Sequence, residues 1–187
     1  MKGGWVFVCG ASGAGKDSVM SWAESHLSGQ KEIVFSRRWV TRPSTVGSDH
    51  DEISVDQFNK LAKSGGLAWQ WRAHGFDYGI DLHYACLVAA GQVVVVNGSR
   101  EHAQTLELHE RIRVVQIEVS PKELEARLIN RGRETSEKIV QRMARNQLFP
   151  ELKVHHRVVN DGELAASGKA FADYLTLCSF KPSSKSE

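Results

Sequence analysis

The sequence predicts an α/β fold organised on a five-stranded, mainly parallel sheet. Three observations predict it. Five short apolar segments alternate with helical patterns along the chain, which is the signature of strand–helix–strand units. Two of those segments, Trp5–Cys9 and Gln92–Asn97, carry unbroken apolar or β-branched runs, as strands covered on both faces do. A glycine-rich turn, Gly10-Ala11-Ser12-Gly13-Ala14-Gly15-Lys16, stands directly between the first strand and the first helix.

The elements follow in order. Strands are expected at 5–9, 33–35, 92–97, 114–119 and 157–160. Helices are expected at 17–27, 56–64, 121–131, 135–148 and 164–177. The helix at 56–64 places Phe58, Leu61 and Ala62 at helical spacing. The one from Pro121 has a proline suited to a first turn and Gly132 as its stop. The segment 181–187 is polar and reads as a frayed tail.

Composition narrows the function. The chain has 187 residues, with 24 Lys and Arg against 22 Asp and Glu, a net charge of +2. That balance argues against wholesale coating of nucleic acid, so an anion site must be local. No apolar run approaches the roughly 20 residues that cross a bilayer, and none forms a signal-peptide core. Cys9, Cys86 and Cys178 are scattered, so neither a disulfide framework nor a thiolate metal site is expected, and a cytoplasmic location is the default. No membrane or nucleic-acid partner is expected, and a homodimer is compatible with the sequence.

The strongest chemical signal is the GxxxxGK turn. Its glycines let backbone N–H groups approach phosphate oxygens, and the following helix aims its positive end at them. Gly10, Ala11, Ser12, Gly13, Ala14 and Gly15 are therefore expected to cradle the triphosphate. Lys16 adds a charge near the β- and γ-phosphates. The next residue, usually Ser or Thr, is Asp17, followed by Ser18. Asp17 is either a hard oxygen ligand for Mg²⁺ or a helix-start charge, and Ser18 is an alternative hydroxyl for metal or phosphate.

Basic residues form two further groups. Ser36-Arg37-Arg38-Trp39-Val40-Thr41-Arg42-Pro43 leaves the second strand, where open parallel sheets bind ligands; a solvated basic edge is the bland alternative. Arg127, Arg131, Arg133, Arg142 and Arg145 lie on two consecutive helices around Gly132. Arg131 and Arg142 are expected to close on a transferring phosphoryl group, and Arg145 to form surface ion pairs. The stretch Trp69–Gly79 mixes aromatic and polar groups like a pocket wall, or packs beneath a loop. Among the eight histidines, His50 and His74 stand out.

With these pieces in order, the chain resembles the guanylate-kinase-like branch of P-loop kinases over about residues 4–178. Arg127–Glu137, Arg142-Met143, Tyr78-Gly79 and Val159-Asn160-Asp161 carry the resemblance. It implies a three-layer P-loop kinase fold in one domain over 1–180, a substrate-binding region about 36–90 and a lid about 127–146. It also implies ATP and Mg²⁺, with Arg127, Asn160 and Asp161 near the nucleotide. The guanine-reading landmarks differ. Aligned without gaps, a base-contacting Ser position holds Arg38, a phosphate-contacting Tyr position holds His50, and the guanine-reading Glu position falls on Arg72. A cation in place of a base-reading carboxylate leaves guanine donors unpaired, which can reject a ligand by about 10⁴-fold. With Gly-x-Ser-Gly-Ala-Gly-Lys-Asp-Ser and Val96-Asn97-Gly98-Ser99-Arg100, the chain is similar to the ribose 1,5-bisphosphate phosphokinase (PhnN) family of phosphonate breakdown. The resemblance implies a phosphosugar acceptor held by Arg38, Arg42, His50, Arg72, Tyr78 and Arg100. A guanylate kinase with a variant pocket, an inactive guanylate-kinase-like module and a nucleic-acid binder are the alternatives.

Overall fold

The first strand, β1 (Gly4–Gly10), is apolar along its length and buried on both sides. The computed structural model describes residues 3–45, 48–130, 140–141, 143–144 and 152–179. After β1 come α1 (Lys16–His26), β2 (Ile33–Phe35), β3 (Arg38–Val40) and β4 (His50–Glu52). Next are α2 (Val55–Lys63), β5 (Leu67–Ala73), β6 (Phe76–Asp81), α3 (His83–Ala89), β7 (Val93–Asn97) and α4 (Arg100–Thr105). The chain continues through β8 (Ile112–Glu118), α5 (Pro121–Asn130), β9 (His156–Val159) and α6 (Leu164–Ser179).

Two sheets form. The five-stranded sheet has the order β2-β7-β1-β8-β9, and each neighbouring pair is parallel. Its five strands are those the apolar runs predict, within two residues at each end. The second sheet has the order β4-β3-β6-β5 and mixes parallel and antiparallel pairs. It lies in a stretch where no strand is expected from hydrophobic runs.

Side-chain alternation along β1 sends residues into two cores. Val6 and Val8 join Val93, Val95, Val115 and Ile117 against Val19 and Ala23 of α1 and Phe171 and Leu175 of α6. Trp5, Phe7 and Cys9 turn to the opposite face with Val94, Val96 and Val114. There they meet Ile80, Val88 and Ala103, with Trp69 and Trp71 of β5 packed against the cluster. The second sheet therefore covers one face of the first, while α1 and α6 cover the other.

Local chemistry closes the smaller elements. Ser54 and Gln57 form a capping box at the start of α2, each satisfying the other's backbone N–H. The Ser99 hydroxyl accepts the His102 N–H at 3.1 Å and starts α4. β5 turns into β6 through His74 and Gly75, with φ of 53° and 83°, which is the positive-φ pair of a tight hairpin. Among the described residues no helix is long and apolar enough to cross a membrane. Of the helix expected over 135–148, residues 140, 141, 143 and 144 are described and helical. Arg131, Gly132, Arg133, Arg142 and Arg145 lie outside the described residues, as does 181–187.

The contact between α1 and α6 sets a sharp requirement. A Cβ on Gly168 would lie 2.5 Å from the ring carbons Cδ2 and Cε3 of Trp22, so the helices pass where only glycine fits. Gly168→Ala is expected to destabilise the protein by about 1–3 kcal/mol through overpacking. A lowered urea midpoint with an unchanged far-ultraviolet circular dichroism spectrum checks this.

Candidate active site

The carboxyl ends of β1 and β7 open into a cleft of about 520 Å³ bordered by the loop 10–16, the start of α1, β3, the β5–β6 hairpin and the start of α4. In open parallel sheets this end carries the ligand site, because helix N-termini and loop amides gather there. The turn after β1 is shaped by Gly13 (φ 99°) and Gly15 (φ 80°). A Cβ on Gly15 would stand 2.5 Å from Asn160 Nδ2, so the position needs glycine for both backbone and space.

That close approach is a brace. Asn160 Nδ2 donates to the Ala14 carbonyl at 2.7 Å, and Asn160 Oδ1 accepts from the Ser167 hydroxyl at 2.8 Å. Arg127 NH2 donates to the Asn160 carbonyl at 2.7 Å, and Arg127 Nε to Glu123 at 2.9 Å. Asp161 accepts the Ser120 N–H at 2.6 Å. These three residues, expected around the nucleotide, have side chains that tie the phosphate loop to α5, α6 and the β8–α5 turn. None of the three borders the cleft itself.

In front of the loop, one amide joins four charges. Asn97, the last residue of β7, accepts from Lys16 Nζ through Oδ1. Its Nδ2 donates to Asp17 Oδ1 at 3.0 Å and to Asp49 Oδ2. Its backbone carbonyl accepts from Arg38 NH1 at 2.9 Å, and Arg38 NH2 also binds Asp49. Lys16 binds Asp17 directly at 2.7 Å. Burial pushes the Lys16 pKa below its ordinary value, and the nearby Arg38 adds to this, while Asp17 acts the other way. For Asp17, burial raises the pKa, but the charge and hydrogen bond of Lys16 outweigh it and leave it below the usual carboxylate range. For Asp49 burial again opposes, and Arg38 leads the groups that hold it low. Both carboxylates are therefore ionised at neutral pH.

A column of flat groups forms the wall of the cleft beyond Arg38. The Arg38 guanidinium carbon lies 5.6 Å from the Tyr78 ring centroid. Tyr78 stacks on Trp71 at 5.4 Å and 8°, and Trp71 stacks on His102 at 4.5 Å and 4°. Phe7 and Trp69 meet His102 edge-on. Four buried nitrogens of this wall and its support find no hydrogen-bond partner among the described residues: Arg38 Nε, His50 Nε2, Trp71 Nε1 and His102 Nδ1. Each such group costs about 1–3 kcal/mol.

The comparisons agree with this architecture. No family model matches the chain. The chain is 38% identical to ribose 1,5-bisphosphate phosphokinase PhnN of Burkholderia pseudomallei over 173 residues, covering 91% of this chain and 94% of that one. It is 40% identical to the protein of the same name from Agrobacterium fabrum, again covering 91% and 94%. The chain belongs to the ribose 1,5-bisphosphate phosphokinase PhnN family. In shape it matches the crystal structure of guanylate kinase from Anaplasma phagocytophilum, with a TM-score of 0.67 at 14% identity over 96% of this chain and 87% of that one. The fold of this PhnN family member is thus guanylate-kinase-like.

The PhnN acceptor residues expected from sequence divide by placement. Arg38 and Arg100, each 8% exposed, border the cleft with Arg42 and Tyr78. Arg42 rests over the Phe76 ring at 5.8 Å. His50 is buried behind the cleft, with Nδ1 3.3 Å from Asp49 Oδ1. Arg72 is the correction. Its side chain is 73% exposed and faces Asp77 at 3.9 Å, on the outer face of β5. Strand alternation turns Trp71 inward instead, so the residue facing the cleft is one position earlier. His74 borders the cleft at the hairpin turn. Asp49, Asn97 and Trp71 were the residues missed as individual site members. Asn97 was legible as the polar end of an apolar strand before Gly98. Trp71 was legible in the alternation of Trp69, Trp71 and Ala73 ahead of a His-Gly turn. Asp49 had no comparable local signal.

Burial lowers the His102 pKa from 6.5 to about 4. The unfolded chain then binds a proton that the folded ring refuses. The stability this neutral ring contributes is full above pH 6.5 and is lost as pH falls towards 4, on the order of 3 kcal/mol in all. Urea titrations between pH 7 and 4.5 should show a shallower decline for His102→Phe than for the parent.

Proposed function

We propose that this chain transfers the γ-phosphoryl group of ATP to the 1-phosphate of ribose 1,5-bisphosphate, yielding 5-phospho-α-D-ribose 1-diphosphate and ADP. The observation that carries the reading is the buried Arg38 guanidinium facing the cleft beside Lys16, the two joined through Asn97. A cation that cannot retreat to water favours an anionic group, and guanidinium matches phosphate oxygens in pairs. Names of relatives at 38% and 40% identity support the same acceptor.

The chemistry needs little covalent help. An oxygen of the acceptor 1-phosphate forms the new bond to the γ-phosphorus, and the bond to the β-phosphate oxygen breaks, releasing ADP. An ionised phosphate needs no strong base, so the protein contributes alignment and charge. The amides of Gly13–Lys16 and the Lys16 ammonium hold the β- and γ-phosphates. Arg38, Arg42, Arg100 and Tyr78 hold the bisphosphate, with His50 supporting Asp49 from behind. Arg131 and Arg142 would close on the transferring group, while Arg127, Asn160 and Asp161 shape the nucleotide side from behind the loop. Asp17 and Ser18 border the cleft at its exposed edge, and hard oxygens there suit Mg²⁺, which takes one or two carboxylates beside phosphate and water. Held there by Asp17 and Ser18, a bound Mg²⁺ would supply positive charge to neutralise the triphosphate. The substrates are diffusible and charged, in keeping with a cytoplasmic place in phosphonate breakdown.

Two measurements test this. A coupled ADP assay should favour ribose 1,5-bisphosphate over GMP, with phosphorus NMR showing a new diphosphate beside the 5-phosphate; preference for GMP overturns the reading. In the same assay Lys16→Ala should lower kcat by about a hundredfold or more with the fold intact. Arg38→Lys, which keeps charge but loses the paired donors, should raise the KM for the bisphosphate by about tenfold while the KM for ATP stays near its original value.

A further inference from the structure

We infer that Trp71 is the residue that denies the Tyr78 side of this cleft to a purine monophosphate such as GMP as acceptor, while ATP still reaches the loop, by occupying with its own indole the stacking place that the acceptor's base would need. The inference deepens the phosphosugar reading above and rests on it. Recognition of a nucleobase in a protein cleft requires a flat apolar face to stack on and edge groups to pair with. The acceptor wall holds flat groups in series, and their stacking faces are used internally. The Arg38 guanidinium lies over Tyr78. Trp71 stacks on both Tyr78 and His102, within 8° of parallel at each contact. His102 is in turn fenced by the edges of Phe7 and Trp69.

The middle member matters most. Indole is a fused six- and five-membered ring, the same size and shape as a purine. The Trp71 indole lies nearly parallel to both Tyr78 and His102, at 5.4 and 4.5 Å between ring centroids, so its own stacking surface is taken up inside the wall. Trp71 packs against the core on one side and borders the cleft on the other, so removing its side chain would enlarge the cleft at this wall. The hairpin register fixes the indole there. Trp71 is the direct cross-strand partner of Tyr78, and neighbouring Arg72 is paired with Asp77 on the other face. The column has a second consequence. With its stack closed, Arg38 lies over Tyr78, donates to the Asn97 carbonyl and pairs with Asp49, so no flat face of this wall is left for a base.

The test uses the full chain and GMP as probe. Trp71→Ala should acquire GMP binding by isothermal titration at least tenfold tighter than the parent, and a matching rise in kcat/KM for GMP. Trp71→Phe, which keeps a ring between Tyr78 and His102, should remain closed to GMP. If Trp71→Ala fails to fold, judged by circular dichroism, Trp71→Leu gives the same readout with a smaller gap. A folded Trp71→Ala or Trp71→Leu that retains ATP binding but takes up GMP no better than the parent overturns the inference. So does a parent enzyme in which GMP competes with the bisphosphate as well as ribose 5-phosphate does. Turnover of ribose 1,5-bisphosphate by the parent is a separate result: its absence defeats the proposed function, whereas the GMP titrations of the variants judge Trp71.

Discussion

The cleft depends on a single carboxamide. Lys16 comes from the phosphate loop and Arg38 from the second sheet, and both cations are largely withdrawn from water. Unshielded, two such charges repel strongly at short range. Asn97 resolves this by accepting from Lys16 with its side-chain oxygen, accepting from Arg38 with its backbone oxygen, and donating to Asp17 and Asp49 with its amide. It can do so because β7 lies beside β1 in the parallel sheet, which brings the end of one strand level with the loop leaving the other. A charged residue in that place could serve only one sign of partner; an amide serves both.

Behind the loop the logic is different. The Ala14 carbonyl is held by Asn160, which is held by Ser167 of α6, while Arg127 of α5 grips the Asn160 carbonyl. The Ala14 carbonyl is therefore directed backwards into the protein and away from the cleft. Glycine at position 15 is the condition for this, since any side chain would collide with the Asn160 amide. The brace joins loop, α5 and α6 into one support, so the phosphate cradle is shaped before any ligand arrives.

The second sheet shapes the side of the cleft away from the loop. It packs Trp69 and Trp71 against the apolar face of the main sheet, and the same strand turns Arg72 to solvent. A hairpin has two faces only, so the aromatic that completes the core and the cation that would have read a ligand cannot both point inward. The core took precedence, and the cations that border the cleft on this side are those of β3 and its following loop and of α4.

The parallel sheet and the phosphate loop were legible along the chain because their signals are local. Apolar runs of four or five residues mark strands covered on both faces, and the glycine spacing before Lys16 marks a tight turn at a helix start. The α/β class, the five strands of the main sheet, most helices and the placement of Lys16 just beyond the first strand follow from that. Tertiary structure alone decided the rest. Whether Arg72 or Trp71 enters the cleft depends on which face of β5 meets the main sheet, and a one-residue difference reverses the answer. The partnership of Asp49 with Asn97 joins residues 48 positions apart, and no neighbouring residue announces it. The bracing contacts of Asn160 and Arg127 were illegible for the same reason: a side chain's partner is chosen by the packing of distant elements, which periodicity and spacing do not encode.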